Sequence, residues 1–319
     1  MTSKKTNLRI VFMGTPAFAV SSLDILHRSG FEIAGVVTAP DKPAGRGLKM
    51  HVSSVKQYAV QHGLPVLQPV KLKDPVFLES LRALRADIQV VVAFRMLPEV
   101  VWDMPPLGTI NLHASLLPAY RGAAPINWAI INGEKETGVT TFRLQHEIDT
   151  GAVIFQEPVP IREEETAGEL HDRLQEIGAA LVLKTLQAVA GGHYPLQPQQ
   201  QMQTTQIHQA APKIFKEDCR IRWDQPASDI YNFIRGLSPH PTAWTLLNGK
   251  LLKIFRARKK PDEGKLPAPG TITTDQRHFL RIAAQEGWIE LLEVQLEGKK
   301  SMGIEAFLRG IREAPEKAG

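Results

Sequence analysis

The sequence predicts an α/β domain, with a mostly parallel sheet and helices on both faces, followed by a smaller β-barrel domain. Three observations predict it. Over the first 190 residues, short apolar runs bounded by glycine alternate with helical stretches, the pattern of parallel strands joined by crossover helices. Residues 191–212, GGHYPLQPQQQMQTTQIHQAAP, are dominated by Gly, Pro and Gln and carry no apolar period, as an interdomain segment does. Beyond it, short apolar runs recur with turn residues between them, which suits a small barrel of the OB type. A chain of 319 residues is long enough for both domains to bury a core. The expected division is 1–190, a linker at 191–209, and 210–319.

The elements follow in order. Residues 8–13 (LRIVFM) end at Gly14 and read as a buried parallel strand. Residues 16–28 carry apolar residues at Phe18, Leu23, Ile25 and Leu26 and stop at Gly30, a helix with Pro in its first turn. A strand is expected at 31–38, a helix at 52–61, a strand at 65–67, a helix at 75–84, and strands at 87–94 and 109–113. Two more strands are expected at 138–144 and 152–156. Thr166-Ala-Gly-Glu169 then opens a helix through a capping-box pattern, with Leu170, Leu174, Ile177 and Leu181 as its stripe. In the second domain a helix at 227–235 precedes strands at 242–247 and 251–257, joined by Asn248-Gly249, a strong hairpin signal. Further strands are expected at 271–273, 279–283 and 288–294.

Bulk properties narrow the function. The composition is ordinary for a globular protein, with 43% hydrophobic and 22% charged residues. The single cysteine, Cys219, forms no internal disulfide and has no base beside it, so it reads as structural. The N-terminal segment lacks the apolar core of a signal peptide, and no apolar stretch approaches the roughly 20 residues of a membrane span. The expectation is a soluble, cytoplasmic protein without membrane attachment. The net charge of +5 is unevenly spread: residues 207–319 hold 19 Lys and Arg against 14 Asp and Glu, leaving 19 against 19 for the rest. Alone, that excess barely favours a nucleic-acid partner.

One stretch carries chemistry. Asn111 and His113 lie two apart at the end of a strand, so amide and imidazole project from one face. In an open α/β sheet, the carboxyl ends of strands are where ligands bind. The loop that follows holds Ser115, Leu116, Leu117 and Pro118, then Tyr120-Arg121-Gly-Ala-Ala-Pro125. Long loops of this kind often carry function. Asp149-Thr150-Gly151 ends a later segment and offers a carboxylate that could fix the tautomer of His113. No Gly-x-Gly-x-x-Gly follows the first strand, where the sequence reads Met13-Gly-Thr-Pro-Ala-Phe18, and no Walker lysine loop is present, so a dinucleotide or ATP is not indicated. Ligand spacing for a metal is missing, and Ser115 is not in a hydrolase elbow.

Taken together, Asn111-x-His113, Ser115-Leu-Leu-Pro118, Arg121-Gly-Ala-Ala-Pro125 and Asp149-Thr-Gly151 resemble the formyltetrahydrofolate-dependent formyltransferases, in order and spacing, over residues 8–190. The whole chain resembles the bacterial members of that family that act on methionyl-tRNA. The resemblance implies 10-formyltetrahydrofolate as co-substrate, without a metal, and Asn111, His113 and Asp149 as the catalytic set. It implies that Ser115, Leu116, Leu117, Pro118, Phe94 and Met96 line the folate slot. One departure is visible: Phe94-Arg-Met-Leu-Pro98 is one residue shorter than the aromatic-Gly-x-Ile-Leu-Pro of many members.

The partner implied is initiator methionyl-tRNA. Residues 38–50, TAPDKPAGRGLKM, form a Gly- and Pro-rich basic loop with Lys42, Arg46 and Lys49 against Asp41 alone, and the family's tRNA-contacting loop lies here. Arg256, Arg258 and Lys259 form a second basic run able to follow an RNA backbone. A monomer is the expectation. Three alternatives stay open: a formyltransferase of the purine pathway acting on a small amine, one acting on a sugar nucleotide, and a non-catalytic RNA-binding protein.

Overall fold

The computed structural model describes residues 8–44, 49–202, 210–261, 264, 266–311 and 317–319. In chain order the elements of the first part are β1 (Arg9–Gly14), α1 (Phe18–Arg28), β2 (Glu32–Val37), β3 (Lys42–Ala44), β4 (Lys49–His51), α2 (Ser54–Gln61), β5 (Val66–Leu67), α3 (Pro75–Ala83), β6 (Ile88–Val92), α4 (Glu99–Trp102), β7 (Thr109–His113), β8 (Arg121–Gly122), α5 (Pro125–Ile131), β9 (Glu136–Arg143), β10 (Val153–Pro160) and α6 (Ala167–Gly191). The second part follows as β11 (Ala210–Ala211), α7 (Ala227–Leu237), β12 (Ala243–Leu247), β13 (Lys250–Lys260), β14 (Ile272–Thr274), β15 (Leu280–Ala283), β16 (Trp288–Leu296), β17 (Met302–Gly303) and α8 (Ile304–Arg309). Two compact units result. One is Met1–Gly122, Gly138–Val159 and His171–Ala210; the other is Ala123–Thr137, Pro160–Leu170 and Ala211–Gly319.

In the first unit the sheet runs β10-β9-β7-β6-β1-β2-β5. Strands β5, β2, β1, β6 and β7 are parallel, and β9 joins β7 antiparallel. This is the Rossmann-like, mostly parallel sheet expected. Residues of β6 are buried throughout, because helices cover both faces. Gly14 pairs with Val92 and Val92 with Leu112, so these three share one face. A Cβ at Gly14 would sit 2.7 Å from Ala19 Cβ of α1, and one at Gly178 of α6 would sit 2.8 Å from Leu112. The other face carries Val11, Met13 and Val91, packed with Phe77 and Leu81 of α3. Asn111 pairs with Val91 and belongs to that second face. Sheet order reverses between β1 and β6, and the crevice at the carboxyl ends there is the usual ligand position. Strand β7 ends beside it.

Local chemistry explains the helix starts. Asp74 caps α3 by accepting from Val76 N at 2.9 Å, with Pro75 in the first turn. Thr166 and Glu169 form the capping box expected at α6: Glu169 accepts from Thr166 N at 2.8 Å, and Thr166 Oγ1 accepts from Glu169 N at 3.3 Å.

The second unit contains the antiparallel sheet β12-β13-β16-β15-β14, with β17 beside β16, curled as an open half barrel. Asn248 and Gly249 both take positive φ, +48° and +74°, as a tight hairpin turn requires. Trp223, Ile230, Ile234, Leu252, Ile254, Ile289 and Leu291 lie in its core, with Cys219 among them. Burial pushes the Cys219 thiol up from its ordinary value, which suits an inert structural cysteine.

Three expectations change. The basic loop is a short hairpin at its base: β3 and β4 pair antiparallel, Lys42 with His51 and Ala44 with Lys49. The loop after His113 leads into a helix, α5, which its Pro125 start does not advertise without a longer apolar period. The linker is partly built into the first unit: Gln197 exchanges two backbone hydrogen bonds with Val153, at 2.8 and 2.9 Å, and residues Gln199–Gln201 form a 3-10 turn. Backbone hydrogen bonding of this kind leaves no side-chain period to read.

Candidate active site

Strand β7 delivers Asn111 and His113 to the carboxyl end of the sheet. Asn111 is half-buried. Among the described residues its side-chain amide has no hydrogen-bond partner, so both its donors and its oxygen are open to a ligand. His113 is buried, 7% exposed. Its Nε2 lies 2.9 Å from Tyr120 O. A carbonyl only accepts, so Nε2 carries a proton and Nδ1 is the ring nitrogen left to exchange one. Nδ1 faces Asp149 Oδ2 at 3.8 Å.

Two turns hold that pairing. Tyr120 takes a left-handed φ of +57°, aiming its carbonyl back at the ring. Asp149 takes φ +54°, a region that Asp tolerates better than most residues. Gly122, at φ +129°, donates its N–H to Asp149 Oδ2 at 3.0 Å. Gly151 is required by space: a Cβ there would sit 1.7 Å from Arg143 O. Each glycine in the two motifs thus has a backbone reason beside the carboxylate.

The remaining sequence-predicted residues divide. Ser115 is fully buried, and its hydroxyl donates to Ala119 O at 2.7 Å. Leu117 packs with Phe142 and Val153. Its N–H donates to Thr140 Oγ1 at 3.2 Å, and Gln156 Nε2 donates to its carbonyl at 2.8 Å. Pro118 is buried as well, and Leu116 alone of the four keeps partial exposure, against Gly138. Most of this segment therefore turns its side chains into protein and braces the loop behind His113. Phe94 and Met96 follow β6, the neighbour of β7. Phe94 is half-buried and Met96 is 71% exposed. In the shortened turn, Ala93 has φ +47°, and Arg95 donates to the carbonyls of Pro69 and, at 2.8 Å, Val70.

Of the basic residues, Lys42 is exposed on the hairpin and Lys49 lies on its second strand, while Arg46 falls outside the described residues. The hairpin base is tied down by Asp41, which accepts from Lys56 and from Gln68 Nε2 at 2.9 Å. The Lys56 hydrogen bond, ahead of the Gln68 one, holds the Asp41 carboxyl below its ordinary value. In the second unit Arg256 pairs with Glu169, Arg258 with Glu290, and Lys259 sits 5.3 Å from the Tyr231 ring centre. All three basic residues already have partners within the chain.

Sequence reasoning passed over Gln199. It lies in the Gln-rich tract that reads as linker, yet it is 2% exposed and bonded to Arg121 and to the backbone of Asp149 and Gly151. A capping or periodic signal that could have found it is missing; only its position after Pro198 marks it.

Comparison with known proteins places this arrangement. The formyl transferase family matches residues 8–186, and the formyl transferase C-terminal domain matches residues 213–312. The methionyl-tRNA formyltransferase of Bacteroides fragilis is 54% identical over 312 residues, covering 96% of each chain. That of Parabacteroides distasonis is 55% identical over 320 residues, covering 98% of each. The crystal structure of HypX from Aquifex aeolicus in complex with tetrahydrofolic acid superposes with a TM-score of 0.65 at 19% identity, over 97% of this chain and 49% of that one. The chain therefore spans about half of that longer protein, and the likeness is one of fold.

Proposed function

The chain belongs to the formyl transferase family, and from that premise we propose that it transfers the formyl group of 10-formyltetrahydrofolate to the amino group of methionyl initiator tRNA, giving N-formylmethionyl-tRNA for translation initiation. The observation that carries the reading is the Asn111 amide, without a hydrogen-bond partner among the described residues, two positions from a buried His113 whose Nδ1 faces Asp149 at 3.8 Å. Relatives bearing the methionyl-tRNA name match over nearly the full chain, and both matched domains are present.

The residues supply what acyl transfer to an amine needs. As the amine adds to the formyl carbon, negative charge gathers on the formyl oxygen. Asn111 Nδ2 donates to it, and one aimed donor of this kind contributes about 3–4 kcal/mol to the barrier reduction. The amine must lose a proton. With Nε2 committed to Tyr120 O, His113 takes that proton at Nδ1, and Asp149, which faces the same nitrogen, stabilises the imidazolium. The gap of 3.8 Å is longer than a hydrogen bond, as two acceptors require, and a proton taken up at Nδ1 is what lets the pair hydrogen-bond. The same proton then goes to N10 as the bond from N10 to the formyl carbon breaks. Ser and Cys nucleophiles are not required.

Phe94, Met96 and Leu116 supply the apolar surface for the folate, with backbone of the segment 115–118 beside them. Lys42 and Lys49 of the hairpin strands, with Arg46 between them in the sequence, meet the tRNA, as do Arg256, Arg258 and Lys259. The protein acts as a cytoplasmic monomer on a diffusing RNA; among the described residues no helix is long and apolar enough to cross a membrane. The test is formyl transfer from 10-formyltetrahydrofolate to charged initiator tRNA, with free methionine and a small ribonucleotide amine as alternative acceptors. Transfer to tRNA alone is expected. Preference for the ribonucleotide would replace the reading, and tRNA binding without transfer would leave only an RNA-binding protein.

A further inference from the structure

We propose that Gln199 is a positioning residue for formyl transfer, acting through the backbone of Asp149 and through Arg121. The inference rests on the reading of Asp149 as the carboxylate that faces His113. Gln199 Nε2 donates to Asp149 O and to Gly151 O, both at 2.8 Å. Its Oε1 accepts from Arg121 Nε at 3.1 Å and from the same guanidinium's Nη2. Both amide hydrogens and the amide oxygen are thereby used. The polarity admits one orientation: turned over, the oxygen would face two carbonyls and the NH₂ a guanidinium.

Three further observations give this amide a purpose. Asp149 sits at φ +54°, a conformation costing about 1–2 kcal/mol unless the surroundings hold it. Gln199 clamps the two carbonyls that bracket the Asp149-Thr150-Gly151 turn. Arg121 precedes Gly122, whose N–H bonds the Asp149 carboxylate at 3.0 Å, so Gln199 holds the Asp149 backbone directly and the neighbouring segment through the Arg121 side chain. Finally, Gln199 is itself fixed: Gln197 is bridged to Val153, and Met202 packs against the Leu117, Phe142 and Val153 cluster. A leucine or methionine would fill a 2%-exposed position as well; only an amide can hold a guanidinium and two carbonyls together.

The test uses the full-length protein with 10-formyltetrahydrofolate and methionyl initiator tRNA. Gln199→Met is expected to lower kcat by about 10- to 100-fold, the cost of a displacement near 1 Å at the reacting groups. KM for both substrates should stay within about twofold. Gln199→Glu keeps the Arg121 partner but sets a carboxylate against two carbonyls, and is expected to lose at least as much. In an Asp149→Asn background, Gln199→Met should cost no more than about twofold, because its route to the reaction is gone. Rates are normalised to the folded fraction from circular dichroism. An unchanged kcat for Gln199→Met would overturn the inference. So would a loss borne by KM alone, or a full additional penalty on Asp149→Asn. Failure of the unaltered protein to formylate tRNA would instead overturn the reading of the reaction.

Discussion

At Asp149 and His113 the chemistry depends on which ring nitrogen is free. Tyr120 O holds Nε2 at 2.9 Å, so the proposed reaction uses Nδ1 as the proton acceptor and assigns the oxyanion to Asn111. His113→Ala is therefore expected to cut kcat by roughly 10²–10⁴, the usual worth of a positioned acid–base group, while tRNA affinity stays within about twofold. Equal loss of binding and turnover, measured by filter binding beside the kinetic assay, would remove that role. Gly151 tests the packing behind it. A methyl group 1.7 Å from Arg143 O cannot be absorbed by rotating a side chain, because the obstacle is backbone. Gly151→Ala is expected to destabilise by about 1–3 kcal/mol and to lower the thermal midpoint. A midpoint equal to the parent's would show that the turn yields freely.

Helix α6 begins with a cap that also gathers a salt bridge. Glu169 accepts from Thr166 N and pairs with Arg256. The Thr166 N–H is the largest influence holding the Glu169 carboxyl below its ordinary value, with Arg256 adding to it. A carboxyl depressed in the folded state stabilises above its unfolded value, and that contribution fades as pH falls through the folded one. The stability difference between the parent and Glu169→Gln should thus be full at neutral pH and shrink through the acid range, read from urea midpoints. A difference independent of pH would assign the effect to packing. The β3–β4 hairpin is the second element with a directed role. Its base is tied through Asp41, Lys56 and Gln68. Arg46→Ala is expected to weaken use of tRNA far more than use of folate, increasingly so as salt rises; steady-state kinetics in each substrate at two salt concentrations would show it, and a loss shared equally with folate would defeat the assignment.

Across the molecule, charge and fold divide along the chain. The basic excess lies in residues 207–319, and the antiparallel half barrel is built from the same stretch. Inside that unit the charges are organised rather than merely abundant. Glu290, 3% exposed, is shared by Arg258 and by Arg281, which binds it at 2.7 Å across the neighbouring strand. Arg258→Ala would leave Glu290 with one partner. It is expected to cost about 1–2 kcal/mol in chemical denaturation, less than the 3–5 kcal/mol of a buried charge left alone. No change in the midpoint would mean that Arg281 satisfies Glu290 unaided.

The alternation of strands and helices, the β7 strand from Thr109 to His113, the capping box at Thr166 and the Asn248-Gly249 turn were all legible in residue order. The motifs holding Asn111, His113 and Asp149 were legible as well, and the proposed catalytic set is read from them. Each of these is a local pattern, because burial period, caps and turn torsions act within a few residues of one another. The partners were not legible. Gln199 meets Asp149 from 50 positions away and Arg121 from 78, and Arg256 meets Glu169 from 87. Such pairs are made by the order in which strands are laid into a sheet and by where a segment between domains folds back. No period in the chain encodes them, so the tautomer at His113 and the clamp on Asp149 exist only once the packed molecule brings those distant backbones together.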